Sequence, residues 1–570
     1  MTALLTENLP LLAGAPNGIK KLRELILELA VRGKLVPQNP SDEPASELLK
    51  RITEEKARLV AEGKLKKQKP LAKIAEEEKP FAMPANWEWV RLDALLKKIG
   101  AGSTPLGGKQ AYVADGVKFL RSQNIWNEGL RLNEVAFIPE ETHQKMSGTR
   151  VEAGDLLFNI TGASIGRCAA VPTDFDTGNV SQHVTIIRPV SGETQPFLHV
   201  VLVSQLVQQT VMDVQVGVSR EGLSIGKLAQ FLIPFPPVAE QRRIVAKVDE
   251  LMALCDRLEA QQAGAESAHA RLIQALLDSL TEARDATDFA TSWLRLAEHF
   301  HTLFTTESSV DALKQNLLQM AVMGKLVAQD PSDEPASRLL AKLQEARSRL
   351  VDAGSIKQDK PLPTVSDDEK PYRLPNGWEW ARMQSAIDVR DGTHDSPKQA
   401  FGENTYPLVT SKDFYNGSIN FEGAKRISQG DYIEIAKRSY VEKFDILFSM
   451  IGGNIGNQIM VNTDVEFGIK NVALFKYYDK NLTYPPFIKL ITENIALDLQ
   501  GTATGGAQPF VALGTLRKLV IAIPPVSEQR RIVIKVDQLM ALCNQLKNRL
   551  TQARQLNEQL ACTLVEQAVA

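Results

Sequence analysis

Cysteine is scarce in this chain. Its four copies (Cys168, Cys255, Cys543 and Cys562) include no close pair, so neither a disulfide framework nor a zinc knuckle is expected. Histidine is nearly as rare: His143, His183, His199, His269, His299, His301 and His394 form no metal-ligand spacing such as H-E-x-x-H. Long apolar runs are missing too. The opening stretch "MTALLTENLPLLAGAP" has neither the basic start nor the continuous apolar core of a signal peptide, so a cytoplasmic protein without membrane contact is expected. An excess of either charge is also absent, since 66 Lys and Arg stand against 68 Asp and Glu for a net charge of −2. This argues against a basic coat over the whole chain but allows a local basic surface, or one supplied by partner subunits.

Catalytic motifs are lacking as well. "GSTPLGGKQ" (Gly102 to Gln110) has the Gly-Lys of a phosphate loop, but Gln110 stands where the magnesium-binding Ser or Thr belongs, and the spacing is one residue long. "YPPF" (Tyr484 to Phe487) has the two prolines of an amino-methyltransferase motif, yet Tyr484 cannot accept from a target amino group as Asn or Asp would. No cofactor-binding Gly motif precedes it, and no G-x-S-x-G elbow supports a hydrolase. His299 and His301 flank Phe300 as surface or packing residues.

What is present is a duplication. The heptapeptide "PSDEPAS" occurs at Pro40–Ser46 and again at Pro331–Ser337, 291 residues later. Gly33 to Trp89 aligns without gaps on Gly324 to Trp380 at that shift. "IPFPPVAEQRRIVAKVDELMALC" (Ile233 to Cys255) aligns on "IAIPPVSEQRRIVIKVDQLMALC" (Ile521 to Cys543) at a shift of 288. The chain is therefore two halves, each reading helical segment, variable middle, helical segment.

The matched ends carry helical periodicity. Ile244, Val245, Val248, Leu251, Met252, Cys255 and Leu258 form one apolar stripe, and Ile532, Val533, Val536, Leu539, Met540, Cys543 and Leu546 form its copy. Leu22, Ile26 and Leu29, with counterparts Leu313, Leu317 and Met320, are the expected partners in antiparallel coiled-coil packing. Within the heptapeptide, Ser41 or Asp42 suits a helix N-cap, Pro44 the first turn, and Glu43 the positive end of the helix dipole. Trp87, Trp89, Trp378 and Trp380 are expected to pack each middle onto its helices.

The middles resemble each other only in outline. "GDLLFNITGASIG" (Gly154 to Gly166) and "FDILFSMIGGNIG" (Phe444 to Gly456) share an aspartate, a short apolar strand and a Gly-rich turn, while "VTIIRP" and "LVIAIPP" read as further strands. The expected fold is α+β: two mixed α/β domains separated by long antiparallel coiled-coil helices, in a pseudo-two-fold internal duplication. Two similar but non-identical domains suit a target with two unlike parts, and duplex DNA is the natural candidate. Helical struts would set the distance between those parts. Four added helical residues lengthen a strut by about 6 Å, nearly two base pairs of B-DNA.

"GKLVPQNPSDEPASELLKRI", "NWEWVRL", "GDLLFNITG" and "PPVAEQRRIV" closely resemble the specificity subunits of type I restriction-modification enzymes, most of all the subgroup with a long N-terminal extension. The resemblance implies a conserved helical region at 1–90, a target-recognition domain at 91–235, a central conserved region at 236–380, a second recognition domain at 381–523 and a conserved helix at 524–570. It implies a non-catalytic subunit that binds double-stranded DNA, docks two methyltransferase subunits and joins two motor-nuclease subunits. No cofactor is expected in this chain; S-adenosylmethionine, ATP and magnesium belong on the partners, which methylate adenine at N6 and carry out restriction. A helical assembly scaffold without direct DNA readout is the alternative, and a self-contained methyltransferase a third reading.

Base readout requires polar side chains on loops. In the first domain the candidates are Arg121, Ser122, Gln123 and Asn124, then Asn159 and Thr161 around the Gly-rich turn, and Arg220. In the second they are Thr410, Ser411, Lys412 and the adjoining Asp413, then Ser449 and Asn454, and Gln508. The repeated "EQRRI" assigns Arg242, Arg243, Arg530 and Arg531 a structural or subunit-docking role. The isolated chain is expected to bind no S-adenosylmethionine in equilibrium dialysis; stoichiometric binding would favour the self-contained methyltransferase.

Overall fold

A computed structural model describes residues 12–66, 71–216, 222–358, 360–415, 417–502 and 509–569. The chain divides into two units, Met1–Ala265 with Ala553–Ala570, and Glu266–Gln552. In the first unit, helices α1 (Gly18–Val31) and α2 (Ala45–Ala61) precede a β-rich domain. That domain is closed by pairing its first strand, Glu88–Arg91, antiparallel to its last, Leu232–Phe235. Helix α3 (Gln195–Val203) lies within the domain, and the 44-residue helix α4 (Val238–Thr281) leaves it. The second unit repeats this order with α5 (Glu307–Val322), α6 (Ala336–Asp352), a domain closed by Glu379–Arg382 on Val520–Ile523, an internal helix α7 (Pro485–Thr502), and the 44-residue α8 (Val526–Val569).

The apolar stripes find the partners their spacing predicts. Leu22, Leu25, Ile26 and Leu29 of α1 share a core with Ile244, Val248 and Cys255 of α4. Arg23 reaches Asp256 and Glu259 at 2.7 Å each, while Gln38 meets Glu240, so the two segments run antiparallel. In the second unit Leu313, Leu317 and Met320 share a core with Ile532, Val536, Leu539 and Cys543, and Lys547 pairs with Asp311 at 2.9 Å. Each long helix serves both units. Ile273, Leu277 and Leu280 of α4 join the second unit's core, and Ala561 of α8 packs with Leu12 and Ala15 in the first.

The heptapeptide does something other than cap. Helix α2 starts at Ala45 behind Pro44 (φ −63°, ψ 150°), and α6 at Ala336 behind Pro335 (φ −63°, ψ 148°), with no side-chain cap at either. The Ala45 N–H donates to Asn86 O and the Ala336 N–H to Gly377 O, so main chain beside each first tryptophan satisfies the helix start. The expected capping by Ser41 or Asp42 is therefore corrected. Asp42 instead accepts from both terminal nitrogens of Arg243, at 2.6 and 3.3 Å, and Asp333 from Arg531 at 2.6 Å. Glu43 pairs with Arg51 and Glu334 with Lys342, each across two helical turns of the same segment.

"EQRRI" thereby receives a role for each polar residue. Glu240 is buried and accepts from Gln38 Nε2 (2.5 Å) and Trp87 Nε1 (3.0 Å). Burial raises its carboxyl pKa, against the opposing pull of those two donors. Glu528 is buried likewise, accepts from Gln329 at 3.0 Å and is raised for the same reason; the Trp378 indole lies beside it without a well-formed hydrogen bond. Gln241 and Gln529 donate to Pro236 O and Pro524 O, at the start of their own helices. Arg243 and Arg531 hold the heptapeptide aspartates. Arg242 is exposed and pairs with Glu193, and Arg530 lies over the Tyr484 ring at 4.8 Å.

Gly33 and Gly324, at φ +69° and +73°, are required here. A Cβ would sit 2.6 Å from Pro84 and 2.7 Å from Pro375, where the chain passes the buried Trp87 and Trp378. Those indoles meet Phe197 of α3 and Phe487 of α7 edge-on, at 6.1 and 6.5 Å. Trp89 and Trp380 contact Phe81 and Tyr372. Among the described residues no single helix is long and apolar enough to cross a membrane.

Arg243→Ala strands the nearly buried Asp42 and is expected to cost about 2 kcal/mol. Arg242→Ala removes only an exposed pair and should cost less than about 0.5 kcal/mol. Denaturant titration of the two variants checks the contrast, and equal costs would contradict it.

Candidate nucleic-acid interface

Each β-rich domain gathers its strand ends at one edge. In the first, an antiparallel sheet runs in the order Leu96–Ala101, Val184–Pro189, Leu156–Asn159, Cys168–Ala170. A second sheet runs Ala136–Ile138, Val117–Leu120, Gly178–Val180, Arg150–Val151, with its two middle strands parallel. Main-chain bonds continue each sheet past these strands, with Gly102 N to Val184 O (2.9 Å) and Ile160 N to His183 O (3.0 Å) in the first and Ser181 N to Leu120 O (2.9 Å) in the second, and Ser103 N to Val180 O (3.2 Å) joins the two. A Cβ on Gly102 would come within 2.0 Å of Val180 O, so only glycine permits this junction. Loops leaving Ala101, Leu120, Asn159 and Val180 therefore start side by side.

The second domain repeats the arrangement. Its sheets run Asp388–Asp391, Val472–Lys476, Ile446–Ser449, Gln458–Met460, and Lys425–Ser428, Thr405–Val409, Gly468–Ile469. Gly392 N donates to Val472 O, Thr393 N to Ile469 O and Lys470 N to Val409 O, the same ties as in the first domain. "VTIIRP" and "LVIAIPP" are both strands but not counterparts. The former matches Val472–Lys476 and the latter Leu232–Phe235. The shared aspartates are internal: Asp155 pairs with Arg188 at 2.6 Å and Asp445 with Lys476 at 2.7 Å. Desolvation raises the Asp445 pKa despite its lysine.

At the first edge Ser122, Gln123 and Thr161 come together around a cavity of about 470 Å³, also lined by Trp126, Ser164, Arg167 and His183. Thr161 Oγ1 and His183 Nδ1 are hydrogen-bonded at 2.7 Å. Arg121 reaches back to Glu134 O and lies 5.7 Å from the Tyr112 ring. At the second edge Ser411 is half-buried, Lys412 and Asn454 are exposed, and the Thr410 hydroxyl is held by Asp413 at 2.9 Å.

Three expected readers face inward instead. Asn124 is buried, accepting from Arg121 N and donating to Arg131 O, which fixes the loop. Asn159 is buried and donates to Ser122 O and Ser164 Oγ; Ser449, its counterpart, is buried too. The Asn124 and Asn159 amides supply hydrogen bonds that the tight turns cannot obtain from main chain, while the Ser449 hydroxyl is buried without a partner among the described residues, so none of the three presents an exposed group to a ligand. Arg220 and Gln508 lie outside the described residues. The reading missed Trp126, Arg131, Arg167 and His183. The only signal was a tryptophan between two arginines in sequence. It also missed "KQA" (Lys109 to Ala111, Lys398 to Ala400), an identity inside the divergent stretches that puts an exposed lysine and glutamine on each first loop.

Among the described residues no group of three or more His, Cys, Asp and Glu side chains could hold a metal ion. The architecture is that of a duplicated, two-domain recognition protein, and comparison with known proteins gives its family. The family model for the type I restriction modification DNA specificity domain matches twice, over residues 84–265 and 375–553. The EcoAI specificity subunit of a type I restriction enzyme from Escherichia coli is 36% identical over 577 residues, covering 97% of this chain and 94% of that protein. The EcoEI specificity subunit, also from Escherichia coli, is 36% identical over 579 residues with the same coverage. A solved structure from a study of type I restriction-modification assembly shares the fold, with a TM-score of 0.50 at 18% identity, covering 86% of this chain and 99% of its own. The chain belongs to the type I restriction-modification specificity subunits, which are non-catalytic.

Asn124→Ala leaves Arg121 N and Arg131 O unpaired and should destabilise the first domain by about 1–3 kcal/mol. Asn124→Asp retains the bond to Arg121 N, as Asp413 does for Thr410, and should recover part of that loss in thermal unfolding.

Proposed function

We propose that the two domains each read one half of a bipartite, asymmetric DNA target. The observation that carries this reading is a pair of matching main-chain junctions bearing largely different side chains. Gln123, Trp126 and His183 in the first domain correspond to Lys412, Tyr415 and Asn471 at the matching points of the second, while Ser122 and Ser411 are the same residue type. Matching junctions place both loop sets alike, and unequal side chains suit unequal half-sites. Ser122, Gln123, Thr161, Arg121, Thr410, Ser411, Lys412 and Asn454 supply groups for this purpose, and Arg220 and Gln508 remain assigned to it.

The long helices dock two methyltransferase subunits and set the spacer between half-sites. S-adenosylmethionine stays on those partners, which methylate adenine at N6 on a flipped-out base. Two motor-nuclease subunits, using ATP and magnesium, complete the restriction assembly in the cytoplasm. Arg242, exposed on α4, suits docking better than Arg243, whose guanidinium is committed to Asp42.

Exchanging residues 91–232 for the first domain of another specificity subunit tests the reading. Sequencing of methylated adenines should then show a new first half-site beside an unchanged second one. An unaltered methylation pattern would favour the scaffold without DNA readout.

A further inference from the structure

The first domain holds a cluster that the second lacks. Trp126 sits in the short hairpin Ile125–Trp126/Gly129–Leu130, with its indole N–H on Gln123 O at 2.9 Å. The guanidinium carbons of Arg131 and Arg167 lie 3.5 and 3.8 Å from the centroid of its ring. Two groups that close to one centroid cannot share a face, so the indole is sandwiched between two cations. Neither guanidinium forms an ion pair or hydrogen bond with a described residue. Like charges roughly 7 Å apart with no carboxylate between them are offset here only by the ring faces. Stacking also turns each planar fork edge-on to its surroundings, with its donors unspent.

Arg167 lines the cavity beside Ser122, Gln123, Thr161, Ser164 and His183. Its backbone is fixed on both sides: Asn159 N donates to Arg167 O (2.9 Å), Arg167 N to Ser164 O (3.2 Å), and Cys168 N to Asn127 Oδ1 (3.0 Å). A rigid, donor-rich cleft calls for a ligand edge with paired acceptors. In the major groove, guanine presents N7 and O6 side by side, the pair that an arginine fork matches.

We infer that Arg167, held flat against Trp126, reads a guanine in the first half-site; this rests on the DNA-reading role proposed above. The second domain separates a base contact from a phosphate contact. Ser449 N donates to Asn457 O (2.8 Å) as Asn159 N does to Arg167 O, and Asn420 N to Asp413 O (2.8 Å) as Arg131 N does to Asn124 O (2.9 Å). Asn457, Asn420 and Tyr415 thus occupy the places of Arg167, Arg131 and Trp126. A phosphate contact would serve both half-sites equally. A cation present in one domain and absent at the same point of the other is what differing bases demand. Trp126 is a positioning residue, since it acts through the orientation of Arg167.

The test uses the full chain assembled with its methyltransferase partner, after the wild-type bipartite sequence has been established by methylation sequencing. Binding is measured against duplexes that each carry one substituted base pair. Arg167→Ala should lower discrimination about 10- to 100-fold at a single G·C pair of the first half-site and leave the second half-site unchanged. Arg167→Lys, which keeps the charge but loses the fork, should not restore it. Trp126→Phe should weaken discrimination at that same pair by a smaller factor. Equal loss on every duplex, restoration by lysine, or an effect in the second half-site would overturn the inference while leaving bipartite readout intact. A wild-type complex without split preference would overturn the underlying reading instead.

Discussion

A buried carboxylate at the start of each long helix is the constraint on which the architecture depends. Removing a carboxylate from water costs several kcal/mol unless hydrogen bonds and opposite charge replace the solvent. Glu240 obtains them from two distant segments, the loop after α1 through Gln38 and Trp87 at the domain's entry, and from the Arg243–Asp42 pair that ties its own helix to that same loop. Glu528 does the same with Gln329 and the Arg531–Asp333 pair. The joint forms only when the helical pair, the heptapeptide and the domain's closing strands are all in place. Since Leu232–Phe235 leads directly into α4 and pairs with the strand following Trp87, the joint fixes each domain on the helix that leaves it.

Above that fixed joint the two domains diverge throughout, and the edge where their strand ends gather carries part of that divergence. The same backbone bonds set the loops in both copies, and glycines at 102 and 392 permit the same close approach. Side chains then diverge from Trp126, Arg131 and Arg167 to Tyr415, Asn420 and Asn457. A chain with a net charge of −2 can still meet DNA when unpaired cations are concentrated at such an edge. The near-neutral composition therefore reports on the helices and cores as much as on the interface.

Much of this was legible in the residues alone. The duplication, the two apolar stripes and their partners followed from periodicity, because helix packing repeats a local pattern. The strand and turn of "GDLLFNITG" followed likewise from composition. The role of "PSDEPAS" did not. Asp42 resembles an N-cap locally, while its partner Arg243 lies 201 residues away and no spacing rule connects them. Asn124 and Asn159 failed as candidate readers for a related reason. An amide that completes a turn and one that reads a base are the same residue type on the same kind of loop, and only burial separates them. Arg167 was overlooked because its neighbour Trp126 is 41 residues upstream.

The central claim is that two similarly built edges read two separate stretches of one duplex. Hydroxyl-radical footprinting of the chain with its methyltransferase partner on a methylated target addresses it directly. The account predicts two short protected patches that differ in sequence and are separated by a less protected spacer of constant length. A single continuous patch, or protection without sequence preference, would contradict it.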